Sequence, residues 1–274
     1  METAHETSLL AKALWSVAII LGLSIVAERI STRMAGLLSG APLNTILVYL
    51  FVGLDMGAAY VVESVPHGLA AFTATLAFVL TYYQASLRIP RYTAVASSLL
   101  SVAVFAAVAW CLVQVPFTLA SAVGVTLCSC ALAIWWLRKI ESVSVERPVR
   151  LTARILVVRG ALAGALIVCV ISLAESLGTR WTGLLAGFPT TLLPTLLIVH
   201  LTYGPANTHA MIRHFPIGMG SIVLYILSVP WTFSLWGAYG GTAASLAVST
   251  IYLAVVMLRA RGPAGREAAR PSRR

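Results

Sequence analysis

Two short segments of the chain share a residue pattern that could bind a polar solute. Each reads Gly-x-x-x-Gly-x-Pro inside an apolar run, first at residues 36–42 and again at residues 183–189. Proline lacks a backbone N–H and kinks or breaks a helix. A helix that restarts at the proline presents its N-terminal amides and about half a positive charge. Such a helix end favours an anionic or strongly polar group.

Polar residues stand beside both prolines, where they could satisfy either the freed backbone carbonyls or a bound solute. The candidate solute-binding residues are Ser39, Gly40, Pro42, Asn44, Thr45, Gly187, Pro189, Thr190, Thr191 and Thr195. The two glycines of each motif share one helix face and let a neighbouring backbone approach closely. A structural kink packed by glycines would explain the pattern without a ligand, but the recurrence of the whole motif favours binding.

The two motifs belong to a longer internal repeat. When the chain is aligned with itself so that residue 27 meets residue 174, without gaps, residues 27–67 match residues 174–214 at fifteen of forty-one positions. Composition alone would give roughly four such matches. The distance along the chain between two aligned residues, such as 27 and 174, is the repeat offset. The repeat predicts two structurally related halves.

Charged residues also recur at the repeat offset. Lys12 and Arg159 stand at the same distance along the chain before the first glycine of their motif, Gly36 or Gly183. The default interpretation is that both side chains extend to the nearest lipid headgroups. The shared register also allows them to attract an anion or to pair with a carboxylate.

Two pairs of opposite charges lie in the turns that lead into the motifs, namely Glu28 with Arg33 and Glu175 with Arg180. Each pair most simply forms an ion pair that fixes a helical hairpin. In a transporter such pairs could also act as gates, one at each face of the membrane.

Composition places the chain in a membrane. Hydrophobic residues make up 59% and charged residues 10%, against about 25% charged in soluble domains. We predict an all-α polytopic membrane protein whose partner is the lipid bilayer. The net charge of +10 does not indicate nucleic acid, because the basic residues lie almost wholly in loops and in the C-terminal tail.

The apolar segments predict nine transmembrane helices, arranged as four, one and four in an inverted-topology repeat. They run approximately over residues 9–27, 34–54, 67–86, 93–114, 117–137, 154–173, 181–202, 215–235 and 239–258. The predicted units are a first four-helix repeat (1–115), a linker helix with a cytoplasmic loop (116–152), a second four-helix repeat (153–258) and a disordered basic tail (259–274).

The distribution of basic residues supports this count. With nine spans, seventeen of the nineteen Lys and Arg residues fall on one face of the membrane, which is therefore predicted to be cytoplasmic. The N-terminus is then outside and the C-terminus inside. Because five spans separate the starts of the two repeats, they enter the membrane from opposite sides, as in many secondary transporters.

A resemblance to a known family follows from residues 181–202. The run Trp-Thr-Gly-Leu-Leu-Ala-Gly-Phe-Pro-Thr-Thr, with Ile198-Val-His200 near its end, resembles the second helix of the small GlpM-like bacterial inner-membrane proteins. Leu10-Ala-Lys12 and Ile217-Gly-Met-Gly-Ser221 are similar to other parts of that family. Those proteins hold one four-helix unit, whereas this chain fuses two. The resemblance implies antiparallel pairing of units and a bacterial inner membrane, and it implies no activity.

The interpretation of the whole sequence is a secondary transporter that moves a small polar, anionic solute by alternating access. The sequence has no enzyme motif, no metal-ligand spacing and no signal for a cofactor, so we expect neither an enzyme nor a metal or cofactor site. A homo-oligomer is left open. The alternative is a non-transporting scaffold or accessory subunit that supports envelope biosynthesis.

Overall fold

A computed structural model describes residues 41–89, 93–138, 140 and 153–261 of the chain. Within these residues the protein is helical and contains no strand. In chain order the helices are α1 (Leu43–Asp55), α2 (Ala58–Arg88), α3 (Thr93–Val113), α4 (Leu119–Leu137), α5 (Ala153–Leu177), α6 (Thr179–Ala186), α7 (Leu192–Tyr203), α8 (Pro205–Gly218) and α9 (Gly220–Arg261). The last of these is broken once, at Gly237.

Four helices of the described ranges are long and apolar enough to cross a membrane, which suggests a membrane location. They are α2, α3, α4 and the run Pro205–Arg259, which joins α8 to α9. A crossing needs about 20 apolar residues, so the 55 residues of this run are enough for more than one. Helices α1 and α7 are apolar but shorter.

Helix α2 forms the centre of the molecule. It packs against α3, α4, α6 and α9, and its side chains Phe72, Phe78 and Tyr82 are almost completely buried. The outer helices have the opposite character, because they expose large apolar side chains such as Leu99, Leu132, Leu235, Ile251 and Leu258. An extended apolar surface of this kind suits lipid rather than water.

The start of α2 differs from the sequence-based boundary. The prediction placed this span at residues 67–86, whereas the helix begins at Ala58 and continues through Pro66. A proline inside a helix removes one backbone hydrogen bond, and the packing of α2 on four neighbouring helices compensates for this loss. The predicted boundary is therefore wrong.

Two glycines with the same backbone conformation make the turns into α2 and α8. Gly57 has φ +93° and ψ 157°, and Gly204 has φ +84° and ψ 174°. This region is essentially restricted to glycine. The two positions correspond to each other at the repeat offset.

Candidate functional site

The second proline motif breaks a helix, as its sequence predicts. Helix α6 ends at Ala186 and α7 begins at Leu192. In the break the Thr190 amide donates to Phe188 O at 2.8 Å, and the Leu193 amide donates to Pro189 O at 2.9 Å. Because the chain leaves the helix here, the carbonyls of the last α6 residues lack the donors that a continuous helix would supply.

Side chains from the first half of the chain supply those donors. Asn44 Nδ2 donates to Ala186 O and to Phe188 O, each at 2.9 Å. Thr45 Oγ1 donates to Ala186 O at 3.0 Å. From the middle of α2, Thr75 Oγ1 donates to Gly187 O at 2.7 Å. Three consecutive carbonyls of the break are thus hydrogen-bonded by residues more than one hundred positions away.

Two of the backbone hydrogen bonds of the second break are also present around Pro42. The Leu43 amide donates to Ala41 O at 2.8 Å, and the Ile46 amide donates to Pro42 O at 2.8 Å. Each of these bonds corresponds, at the repeat offset, to one of the two bonds around Pro189. Pro42 is the N-cap residue of α1. The helical residues predicted before it, 34–40, lie outside the described part of the chain.

The two breaks meet at a cavity of about 30 Å³. A water molecule needs roughly 10–15 Å³ on the same measure, so the cavity has room for about two waters. Its wall is formed by residues of both halves: Ala41, Asn44, Thr45, Phe72, Thr75, Ala186, Gly187, Phe188, Pro189, Thr191, Leu192, Phe215 and Ile222. None of these residues is charged. Several are related by the repeat offset, among them Asn44 with Thr191 and Thr75 with Ile222.

Two helix starts face this cavity. The first turns of α1 and α7 contribute Asn44, Thr45 and Leu192 to its wall, and neither helix start receives a side-chain cap from its N-cap residue. Each helix start carries about half a positive charge. Of the described polar atoms near the breaks, Asn44 Oδ1 and Thr190 Oγ1 are buried without a hydrogen-bond partner. The cavity therefore lies between two helix starts, and two polar atoms near it are buried without a partner.

The glycines of the second motif allow the close approach that the sequence predicts. A Cβ atom on Gly183 would lie 2.6 Å from Gly68 N and closer still to Ser64 O. A Cβ atom on Gly187 would meet the Ala71 side chain at 2.5 Å. Helix α6 therefore packs backbone to backbone against α2, and this contact brings Gly187 O within reach of Thr75.

Two further predicted site residues, Thr195 and Arg180, have side chains that the structure describes, and the others do not. Thr195 donates to Thr191 O at 2.6 Å, within its own helix, and is not part of the cavity wall. Arg180 lies at the start of α6 and donates from Nη1 to Val113 O at 3.2 Å, which ties α6 to the end of α3. The predicted residues that lie outside the described residues or side chains are Lys12, Glu28, Arg33, Ser39, Gly40, Arg159 and Glu175.

Sequence reasoning missed Thr75, which donates the shortest of the bonds to the second break. Thr75 lies in the middle of α2 among alanines and other threonines, and no motif distinguishes it from Thr73. Only its alignment with Ile222 at the repeat offset could have drawn attention to this position.

A second polar cluster lies near the C-terminal end of α2. His200 is buried, and its Nδ1 is 3.0 Å from Tyr82 Oη. His209 Nε2 is 2.6 Å from Ser86 Oγ. Although His200 lies near the end of α7, it is not solvated, because the Tyr82 ring of α2 packs edge-on against its imidazole.

Comparison of the chain with protein-family models, with curated proteins and with solved structures finds no match.

Proposed function

We propose that the protein is a secondary transporter of the bacterial inner membrane that moves a small polar, anionic solute by alternating access between two inverted repeats. The observation that supports this proposal most directly is the meeting of the two proline breaks at one cavity. In transporters of this architecture, broken helices point their N-terminal ends at anionic groups near the bilayer midplane. Here the cavity lies beside Thr75, at the middle of the 31-residue α2.

The equivalence of the two breaks supports the repeat. Their backbone hydrogen bonds correspond one to one at the repeat offset, and the glycine turns at Gly57 and Gly204 correspond at the same offset. Two segments that share sequence, turn conformation and hydrogen bonding are expected from a duplicated unit. The GlpM-like relationship is proposed on the sequence motifs of residues 181–202 alone.

Exposed tryptophans support the membrane location. Trp135 and Trp136 lie exposed at the end of α4, beside Arg138, whose guanidinium is 5.7 Å from the Trp135 ring centroid. Trp110 is exposed near the end of α3. Tryptophan and arginine at helix ends are typical of the membrane–water interface. Together with the seventeen-to-two distribution of Lys and Arg, they support a cytoplasmic C-terminus and an external N-terminus.

Alternating access would require the two breaks to move relative to each other. In this structure Asn44, Thr45 and Thr75 hold carbonyls 186–188 in place. Moving one half against the other would break these bonds while the cavity opens toward one face of the membrane. The bonds therefore belong to one of the two conformations that the proposal requires.

A scaffold or accessory subunit of envelope biosynthesis is the second candidate. It is favoured by one observation, namely that the freed carbonyls of the second break are already hydrogen-bonded within the protein. A purely structural kink needs only this. Solute uptake separates the two candidates, because a scaffold has none.

The experiment is solute uptake into proteoliposomes that contain the full chain, screened over small polar anions, with Thr75→Val and Thr126→Val as a matched pair. Both threonines are buried, and each hydroxyl lies 2.7 Å from a carbonyl outside its own helix, Gly187 O for Thr75 and Leu69 O for Thr126. Each hydroxyl is also within hydrogen-bond distance of a carbonyl of its own helix. Only Thr75 lines the cavity. We expect similar losses of thermal stability but a reduced uptake rate only for Thr75→Val. Uptake no faster than in protein-free liposomes, for every anion in the screen, would exclude transport of this class.

A further inference from the structure

Two histidines from different helices lie side by side near the C-terminal end of α2, and they are called the histidine pair here. His200 Nδ1 is 3.0 Å from Tyr82 Oη, and His209 Nε2 is 2.6 Å from Ser86 Oγ. The Tyr83 ring packs edge-on against His209, with ring centroids 4.8 Å apart. The two imidazoles are close enough to interact electrostatically. Because histidine ordinarily changes its charge between pH 5 and 8, the pair can take up a proton near neutral pH.

Each hydroxyl beside the histidine pair has a second acceptor within reach. Tyr82 Oη is also 3.5 Å from Leu196 O, and Ser86 Oγ is 2.8 Å from Tyr83 O. A neutral imidazole has one acceptor nitrogen, whereas a protonated imidazole has two N–H donors and no acceptor. When a proton binds, the hydroxyl can turn its own proton to the carbonyl and accept from the imidazole. The hydrogen bonds can therefore be satisfied both with and without the proton.

The charges around the histidine pair limit it to one extra proton. Two protonated imidazoles side by side repel each other. The described carboxylates Asp55 and Glu63 lie at the opposite end of α2, and Glu141 and Glu146 lie outside the described residues. The charged residues at this end of the helices that pack against α7 and α8, or within α8, are basic: Arg88, Arg138, Arg154, Arg159, Arg213, His214 and Arg259. Of these, the side chains on α5, residues 154 and 159, lie outside the part that the structure describes.

Helices α2 and α7 both connect the histidine pair to the cavity. His200 follows Leu192 by eight residues of α7, and Tyr82 follows Thr75 by seven residues of α2. At 1.5 Å per residue, these separations are about 10–12 Å. Hydrogen bonds join α2 to the chain of the second break at both levels, from Thr75 to Gly187 O and between Tyr82 and His200. A movement of that chain that opens the cavity therefore also changes the surroundings of the pair.

An anion in the cavity needs a positive charge from outside the cavity wall. The wall, which is formed by described residues, contains no ionisable side chain. The starts of α1 and α7 and the carbonyl end of α6 line the same cavity and carry opposite partial charges, so they offset each other. One positive charge at about 12 Å, with an effective dielectric constant of about 20, raises the affinity for an anion about tenfold. By linkage, a bound anion raises the affinity for the proton by the same factor.

We propose that the proton is the coupling ion of the transporter and that it binds to the histidine pair, one proton entering with each solute molecule. This assignment rests on the proposed transport function, whose coupling it specifies. For a singly charged anion, this symport moves no net charge across the membrane. The proton supplies the positive charge that the cavity wall lacks.

Titration of the histidines tests the site. The full chain, isotopically labelled in its five histidines, is titrated in detergent by NMR, and histidine-to-glutamine variants assign the signals. We expect His200 and His209 to take up one proton together between about pH 5 and 8, so that His200→Gln changes the titration curve of His209. His67→Gln is the matched control, because His67 is also buried but its Nε2 is 3.1 Å from a backbone carbonyl, Val115 O. Independent titration of the two histidines, or no titration in this range, would overturn the proposal.

Proton movement tests the coupling. Proteoliposomes that contain the full chain enclose the pH-sensitive dye pyranine, and the anions of the uptake screen are added singly without an initial pH gradient. Nitrate and methanesulfonate are included because anions of strong acids do not cross lipid as neutral acids, and protein-free liposomes give the background for the others. We expect each transported anion to acidify the interior. At low anion concentration, uptake should be about tenfold faster near pH 6 than near pH 8. Both effects should disappear in His200→Gln and in His209→Gln, and both should remain in His67→Gln.

The outcomes separate this inference from the transport function. Anion uptake without acidification, or acidification that persists in both glutamine variants of the pair, overturns the proton coupling and leaves transport standing. Uptake of no anion at all rejects transport and the coupling with it. If the glutamine variants do not fold, the histidine titration and the acidification of the wild-type protein still decide the proposal.

Discussion

The Pro42 break and the Pro189 break have matching backbone hydrogen bonds but differ in the hydrogen bonds of their side chains. Both turn the chain with the same pair of backbone hydrogen bonds around the proline. The side chains of Asn44 and Thr45, which follow Pro42, donate hydrogen bonds to backbone carbonyls beside Pro189. In the Pro189 break it is therefore the backbone that accepts. Proline and its flanking residues determine the local geometry, and the side chains that follow determine the direction of the hydrogen bonds.

The repeat offset shows how this difference arises. The positions that correspond to Thr45 and Thr75 are occupied by Leu192 and Ile222, which have no hydrogen-bonding group. Both apolar residues line the same cavity as their polar counterparts. The first half therefore contributes three side-chain donors to the cavity wall, whereas the second half contributes backbone carbonyls, apolar side chains and the single hydroxyl of Thr191.

This asymmetry has a consequence for the proposed alternating access. If the two halves exchanged conformations, Leu192 and Ile222 would stand in the places of Thr45 and Thr75, and they cannot donate. The conformation described by the structure is therefore favoured by two side-chain donors that the exchanged conformation lacks. A solute that binds the exchanged state more tightly could offset this difference.

The largest expected effect concerns whether the two breaks enter the membrane from opposite faces. Reporter fusions after Leu258 should be cytoplasmic, and fusions near residue 60 should be external, because the Lys and Arg residues are distributed seventeen to two between the faces. A reporter that is active only in the cytoplasm and one that is active only outside give complementary readings. If both fusions report the same side, the repeat is not inverted and the comparison of the breaks loses its basis.

The next largest effect should be the loss of stability when a glycine of the second motif is replaced. Gly183→Ala places a methyl group against the backbone of Ser64 and Gly68, which cannot move aside as a side chain would. We expect a loss of about 3 kcal/mol or more in the free energy of unfolding, seen as poor recovery of monodisperse protein and a lower Tm. Gly124→Ala is the control, because nothing lies within 4 Å of its added methyl group. If the first break packs alike, Gly36→Ala should cost as much; a neutral Gly36→Ala would restrict this packing to the second half.

Replacing the glycine in either of the two turns should cost the same amount of stability. Gly57→Ala and Gly204→Ala each force alanine into a positive-φ conformation, at a cost of about 2 kcal/mol. No atom lies within 4 Å of either added methyl group, so the cost comes from the backbone alone. Thermal unfolding of the two variants should therefore give nearly equal shifts in Tm. A shift at only one position would show that the turns are equivalent in shape but not in energy.

Particular residues show how far the sequence could predict this site. Proline and the paired glycines act locally, so the break after Ala186 and the close approach at Gly183 could be read from the motif. The repeat also predicted that Pro42 and Pro189 belong together. The number of spans and their orientation stay predictions, since residues 1–40 and 141–152 lie outside the described part of the chain.

What the sequence could not predict depends on which helices pack together. Thr75 becomes part of the site because α6 lies against α2 at Gly183 and Gly187. The sequence of the motif does not predict which helix will pack against it. The continuation of α2 through Pro66 has the same origin, because packing against four neighbours outweighs a local stop signal. The direction of the hydrogen bonds between the breaks likewise follows from their placement and not from their composition.

The smallest effect, and the most direct test of the asymmetry, comes from exchanging the side chains at the paired positions. Asn44→Thr shortens the side chain so that it cannot reach both Ala186 O and Phe188 O. The lost hydrogen bond is worth about 1 kcal/mol, because Ala186 O keeps the Thr45 hydroxyl and Phe188 O keeps the Thr190 amide as donors. Thr191→Asn should change the free energy of unfolding by less than about 0.5 kcal/mol, since Thr191 is only half-buried. Thermal unfolding of the purified full chain in detergent measures both. The double variant should not recover stability, because Leu192 and Ile222 still provide no donors beside the new asparagine. Full recovery would mean that either break can donate, and the preference between the two conformations would then have to come from elsewhere in the molecule.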